Sequence, residues 1–342
     1  MIGGVQTPDS APSPEAVLAA FGIRARPAAM VPVVGAWSNR VYRLTTDLGS
    51  YAVKELLNLR REPRWLDSLD AAWRFELAAQ AAGLTIPVPV SSPSGGCVAW
   101  VERQGRAEPV PVRLHAWVEG TQPGPAPVTR QTASWIGRTL ATLHLLGIRP
   151  ADRSTFPLPD TATADDWPDL ITAARRAGAP WADQLQAAQP AVAEIAALAR
   201  AAGHRPGDEV MSHGDIDQKN LILAADGPVL CDWDAAMPMV PSRELADAAM
   251  SMASWERQDI GREVLRAYRA AGGLVTGIRP GDLGQSMMSS LDWIAFNVGR
   301  ATGGRPAGPA EVALGSRLVP ELLARLPREL EIARRADEFL AV

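Results

Sequence analysis

From Ser212 to Ala235 the chain reads Ser-His-Gly-Asp-Ile-Asp-Gln-Lys-Asn-Leu-Ile-Leu, then Ala-Ala-Asp-Gly-Pro, then Val-Leu-Cys-Asp-Trp-Asp-Ala. The apolar runs Leu221–Leu223 and Val229–Cys231 flank Asp226-Gly227-Pro228, which is a hairpin signal. A hairpin here leaves the loop from His213 to Asn220 at one end and returns Asp232 to the same end. Four carboxylates (Asp215, Asp217, Asp232, Asp234) and the carboxamide of Asn220 are thereby gathered. Such oxygen donors suit a hard cation such as Mg²⁺. A calcium loop starting at Asp215 fails, because Lys219 takes a ligand position and Asp226, not Glu, falls at the twelfth. A zinc site fails for want of ligands, since the other histidines are scattered and Cys231 stands alone.

Composition narrows the class. The chain has 342 residues, enough for two lobes and a large core, and a net charge of −4. That charge leaves no basic footprint for nucleic acid. No apolar run approaches a membrane helix, and the start shows no basic region followed by an apolar core. A cytoplasmic protein with no membrane partner is expected, its Cys97 and Cys231 being small buried hydrophobes in a reducing compartment. Of 34 basic residues only Lys54 and Lys219 are lysine. A lysine kept against so strong an arginine bias points to a need for a compact ammonium.

Residues 1–14, rich in Gly, Pro and Ser, are expected to be mobile. A short helix follows over Pro14–Phe21, capped by Ser13. From Met30 the period is two, predicting antiparallel strands over Val31–Val34, Arg40–Thr45 and Tyr51–Leu56. Arg64–Ala82 carries Leu66, Leu69, Trp73 and Leu77 at helical spacing. Ile86–Val90, Cys97–Glu102 and Pro111–Trp117 supply further strands and a connector. A Pro/Gly-rich run then breaks the pattern up to Pro127. Beyond it, helices are predicted over Thr129–Leu146, Trp181–Ala202, Arg243–Met252, Ile260–Ala271, Leu283–Ala301 and Pro309–Leu340, with residues 150–180 loop-rich.

His-Gly-Asp, four residues, Asn, then a strand running into Asp resembles the catalytic segment of kinase-fold enzymes. Gly214 and Asp232-Trp233-Asp234 resemble the aminoglycoside phosphotransferase and choline kinase family, which are small-molecule kinases. The resemblance runs from about Gly35 to about Asn297. It implies an α+β, bilobal protein-kinase-like fold. A small antiparallel sheet lobe would cover residues 1–117, a hinge 118–128, and a mainly helical lobe 129–342.

The resemblance also implies site residues. Asp215 would be the catalytic base, and Asn220 and Asp232 the Mg²⁺ ligands. Lys54 would hold the α- and β-phosphates of ATP or GTP. Glu76 would pair with Lys54, with Glu62 as a rival. Ser38 and Asn39 would face the phosphates, and Ala116 and Val118 would present backbone groups to the base. His115 and Trp117 would line the purine slot, unless the aromatics there serve lobe packing. Beyond what the resemblance demands, Lys219 is expected to reach the γ-phosphate or else to pair with Asp217. Asp234, Glu256 and Asp292 are candidates to hold the acceptor.

The expected activity is transfer of a γ-phosphoryl group to a hydroxyl of a small molecule. An antibiotic is the first choice, in resistance or self-protection. Choline-like amines, sugars and homoserine are alternatives, as is a kinase-fold binder that does not catalyse. A protein kinase is disfavoured by Gly214 and by the absence of Asp-Phe-Gly and Ala-Pro-Glu. The sequence is silent on oligomeric state.

Overall fold

A computed structural model describes residues 11–33, 39–57, 63–103, 108–158, 160–203 and 205–342. The opening residues 1–10, the turn from Gly35 to Ser38, and Glu62 lie outside the described residues. Strands are β1 (Pro27–Pro32), β2 (Arg40–Thr46), β3 (Gly49–Glu55), β4 (Pro89–Val90), β5 (Ala99–Val101), β6 (Val110–Ala116), β7 (Val210–Ser212), β8 (Leu221–Ala224), β9 (Gly227–Leu230) and β10 (Met237–Met239). Helices are α1 (Pro14–Ala20), α2 (Pro63–Ala81), α3 (Arg130–Leu145), α4 (Ala162–Asp165), α5 (Trp167–Arg176), α6 (Ala182–Ala202), α7 (Pro241–Met252), α8 (Gln258–Ala270), α9 (Pro280–Thr302), α10 (Pro309–Arg334) and α11 (Ala336–Phe339).

The chain forms two compact units. The first takes Met1–Pro123, Pro150–Phe156 and Lys219–Met237. The second takes Gly124–Arg149, Pro157–Gln218 and Pro238–Val342. The hairpin of β8 and β9 thus packs with the first unit, although the contiguous division above puts it in the helical part.

In the first unit an antiparallel sheet runs β1-β2-β3-β6-β4, with β5 also on β6. Alternation sorts its two faces. Val53, Val112 and Leu114 pack with Val17 and Leu18 of α1 and with Phe21 just after it. The intervening Lys54, Arg113 and His115 belong to the opposite face. The first helix starts where Ser13 predicts, since its Oγ accepts from Ala16 N–H at 3.1 Å. Of the run Ile86–Val90, Pro89 and Val90 pair with β6, and Val88 O accepts from Ala116 N–H of the same strand at 2.8 Å.

The second unit is helical. Its α3 begins at Thr129, whose Oγ1 accepts from Thr132 N–H at 3.2 Å. Residues 150–180 are less loop-rich than the sequence suggests. Trp167 is fully buried and donates its indole N–H to Leu185 O at 3.0 Å, anchoring α5 at its first turn. Pro168 and Asp169 there are ordinary first-turn residues. The long terminal helix breaks at Arg335, separating α10 from α11. Among the described residues no helix is long and apolar enough to cross a membrane.

Close packing of α3 on α8 depends on Gly137. A Cβ there would meet Val264 O at 2.3 Å and Tyr268 N at 2.8 Å, both backbone atoms. Gly137→Ala is therefore expected to destabilise the protein by at least about 1–3 kcal/mol, read as a fall in Tm.

Candidate active site

The hairpin assembles the acidic end as its spacing requires. Leu221 pairs with Leu230, and Cys231 N–H donates to Asn220 O at 2.9 Å, so Asn220 and Asp232 share one end. Asp232 adopts the left-handed conformation (φ 72°, ψ 49°), a region where non-glycine residues are uncommon. The turn is locked by Trp233, which is buried, donates its indole N–H to Leu230 O at 2.9 Å and packs on Phe75 of α2.

Lys54 of β3 arrives at this end from 180 positions away in sequence. Its ammonium donates to Asp234 Oδ2 at 2.7 Å and also to Asp232. Glu76 of α2 is not its partner, which corrects the pairing expected above. Glu76 Oε2 accepts from Arg113 Nη2 at 2.6 Å and its Oε1 from His115 Nε2 at 2.9 Å. The β3–β6 register places Arg113 directly opposite Lys54, and its Nη1 donates to Asp234 Oδ1 at 3.1 Å. The Arg113 guanidinium reaches Glu76 and Asp234 from one fork.

The electrostatics follow. Burial alone would lift the Asp234 carboxyl, but Lys54 and Arg113 hold it well below the carboxylate range. Burial and the neighbouring Asp234 push Asp232 up against the pull of Lys54. Burial would lower Lys54, yet Asp234 and Asp232 raise it further. Burial pushes the Cys231 thiol up to about 12, aided by Asp232, which favours the neutral thiol.

The donors present fit a hard cation. Asp232 and Asp234 already hold an ammonium, and the other donor beside them is the buried amide of Asn220. Among the described residues no three His, Cys, Asp or Glu side chains form a metal cage. A divalent ion on Asn220 and Asp232 would complete its shell with phosphate and water oxygens, the usual habit of Mg²⁺.

Other candidates of the first unit are placed as follows. Asn39 Oδ1 accepts from Leu57 N–H at 3.2 Å, tying down the chain after β3. Ser38 lies outside the described residues. Ala116 N–H donates to Val88 O at 2.8 Å, and Trp117 N–H to Ser50 O at 2.9 Å. Val118 follows directly. His115 is held by Glu76, and the Trp117 ring lies under the Arg43 guanidinium, 4.9 Å from its centroid. Lys219 is exposed, and its carbonyl accepts from Gln122 Nε2 at 2.7 Å.

In the second unit, Asp215 sits on a braced loop. Gly214 has φ 79°, a conformation that a bulky residue rarely adopts, and its N–H donates to Glu244 Oε1 at 2.7 Å. Glu244 also accepts from His144 Nε2 at 2.8 Å. Burial would raise its carboxyl, but these donors hold it below the usual range. The ring Nδ1 of the buried His213 accepts from Asp215 N–H at 3.3 Å, a bracing role. Asp217 Oδ2 accepts from Ser251 Oγ at 2.8 Å.

Of the three acceptor candidates, Asp234 belongs to the first unit and Glu256 and Asp292 to the second. Asp234 belongs to the Lys54–Arg113 cluster. Glu256 is exposed and accepts from Arg328 at 3.1 Å. Asp292 accepts from Thr163 Oγ1 at 2.5 Å.

Two residues escaped the sequence reading. Arg113 was marked only by a charge at every second position of an apolar strand, Arg113 then His115. Asp247 was marked by standing three residues after Glu244, hence on the same face of α7. Glu244 and Ser251 of that helix both bond the loop at 214–217, and Asp247 lies between them in sequence. Asp247 accepts from Ser286 Oγ on α9.

Burial lifts the Asp247 carboxyl to about 7 from an ordinary 3.8, with Asp217, Asp215 and Glu244 adding to it against the Ser286 hydrogen bond. Below pH 4 both folded and unfolded chains hold this proton. Between 4 and 7 only the unfolded chain releases it, so stability falls as pH rises through that window. Asp247→Asn removes the penalty. Its Tm gain over the unchanged protein is expected to be larger at pH 8 than at pH 5, measured by thermal unfolding.

Residues 30–281 match the model of the phosphotransferase enzyme family, APH. No curated protein sequence matches the chain. Among solved structures, a spectinomycin phosphotransferase in complex with ADP and spectinomycin aligns over 95% of this chain and 97% of its own, with TM-score 0.70 at 13% identity. An amicoumacin kinase in complex with AMP-PNP and Ca²⁺ aligns over 86% and 88%, with TM-score 0.57 at 13% identity. A choline kinase from Streptococcus pneumoniae aligns over 87% and 94%, with TM-score 0.56 at 16% identity. At these identities the structures speak for a shared protein-kinase-like fold. The family match spans most of the chain, and the chain belongs to the phosphotransferase enzyme family.

Proposed function

We propose that this phosphotransferase moves the γ-phosphoryl group of ATP to a hydroxyl of a small-molecule antibiotic, in resistance or self-protection. The observation that carries the reading is Lys54. Separated by 180 positions from Asp234, it lies 2.7 Å from that carboxylate and also bonds Asp232, at the end of the hairpin that holds Asn220. The nucleotide-bound antibiotic kinases that share the fold support ATP and an antibiotic acceptor.

On this reading each residue has one task. Lys54 fixes the α- and β-phosphates as a point charge. Asn220 and Asp232 hold Mg²⁺, which offsets the charge of the phosphate oxygens. Asp215 orients the acceptor hydroxyl and receives its proton. Gly214, Glu244 and His213 fix the loop that carries Asp215, and catalysis is mainly placement and charge neutralisation. Ala116 and Val118 offer backbone groups to the purine. A cytoplasmic location supplies the nucleotide. A second reading, phosphorylation of a choline-like amino alcohol, is favoured by the likeness to a choline kinase.

A coupled ADP-release assay over a panel of aminocyclitol, aminoglycoside and peptide antibiotics, choline, ethanolamine and sugars tests the proposal. Turnover of an antibiotic with a far higher kcat/KM than any metabolite supports it. Preference for choline or ethanolamine selects the second reading. With whichever acceptor turns over, Asp215→Asn is expected to lower kcat by about 10²–10⁴-fold while ADP affinity stays the same. A kcat near that of the unchanged enzyme removes Asp215 from the role.

A further inference from the structure

The buried charges around Lys54 alternate in sign along a line: Glu76, Arg113, Asp234, Lys54. Arg113 has no exposed surface and neither has Glu76. Both Glu76 oxygens are taken, one by Arg113 at 2.6 Å and one by His115 at 2.9 Å. Lys54 and Arg113 are cross-strand neighbours on β3 and β6, an arrangement of like charges that is unfavourable by itself. Asp234 lies between them and accepts from both, at 2.7 and 3.1 Å. Its position is therefore set from the far side by the guanidinium, and Arg113 is set in turn by Glu76.

We infer that Arg113 is a positioning residue for nucleotide binding, acting through Asp234 to aim Lys54, and that Glu76 acts on Lys54 only through Arg113. The inference rests on the proposed phosphate role of Lys54. Asp232 and Asp234 then have separate duties. Asp234, clamped by Arg113, keeps hold of the ammonium, and this leaves Asp232 free to give up its bond to Lys54 when a cation competes for its oxygens. A lysine at 113 would not serve, because one ammonium cannot span two carboxylates on opposite sides.

The test is ADP binding by calorimetry, without added metal, together with separate KM values for ATP and acceptor. Arg113→Met alone leaves Glu76 with only His115 and Asp234 with only Lys54, and is liable to unfold. The double variant Glu76→Gln/Arg113→Met removes one charge of each sign, and Arg113→Lys keeps the cation. In whichever of these melts cooperatively, ADP affinity is expected to fall about tenfold and the KM for ATP to rise in step, with the acceptor KM unchanged. Glu76→Gln alone is expected to weaken ADP less than the double variant does. A lower Tm with ADP affinity and both KM values unchanged means a structural role only and overturns the inference. So does an equal or larger loss in Glu76→Gln alone.

Lys54→Met separates this inference from the reading beneath it. If Lys54→Met also leaves ADP affinity unchanged, the phosphate role of Lys54 has failed. If Lys54→Met loses affinity and the Arg113 variants do not, only the relay has failed.

Discussion

The site depends on neutralising buried charge. Three carboxylates, Glu76, Asp232 and Asp234, meet two cations, Lys54 and Arg113; Glu76 and Arg113 are fully buried, and Lys54 and Asp234 largely so. An unpaired charge there would be very costly, so each group must find a partner of opposite sign or remain protonated. Alternation along the line satisfies that demand, and it also fixes where the Lys54 ammonium points. Stability and placement of the Lys54 ammonium thus come from the same contacts. The one carboxylate with substantial exposure is Asp232, its side chain being 39% accessible, and it is the one proposed to change partner for a metal ion.

The second unit meets a similar demand by different means. The loop carrying Asp215 has no regular hydrogen-bond ladder of its own at Gly214, so its backbone is held by side chains. Glu244 takes the Gly214 N–H and is held by His144, whose Nδ1 lies 3.0 Å from the Tyr268 hydroxyl. His213 takes the Asp215 N–H. A proposed base presented on such a loop keeps its position through these committed backbone groups.

Much of this was legible in the chain. The hairpin signal around Asp226-Gly227, the cap at Ser13 and the helical stripes of Arg64–Ala82 and Thr129–Leu146 are local, and the elements form close to where they were expected. The spacing of Asn220 and Asp232 across two short apolar runs brings them to one hairpin end by geometry alone. The lysine count drew attention to Lys54 before any fold was known. Less visible was α5. Its anchor is Trp167 buried against Leu185, a tertiary contact, and the local run of Asp and Pro looked like a loop.

What the sequence determined by itself is the set of chemical groups and the local elements that carry them: strand, hairpin, helix and caps. What only tertiary structure decided is how the charges are shared. Glu76 is a helix carboxylate beside an apolar stripe in either case. Whether it meets Lys54 or Arg113 depends on the register of β3 against β6 and on where α2 lies over that face. Both are long-range choices made by packing and by the cost of leaving any buried charge alone. The same cost draws Asp234 into the cluster with Lys54 and Arg113.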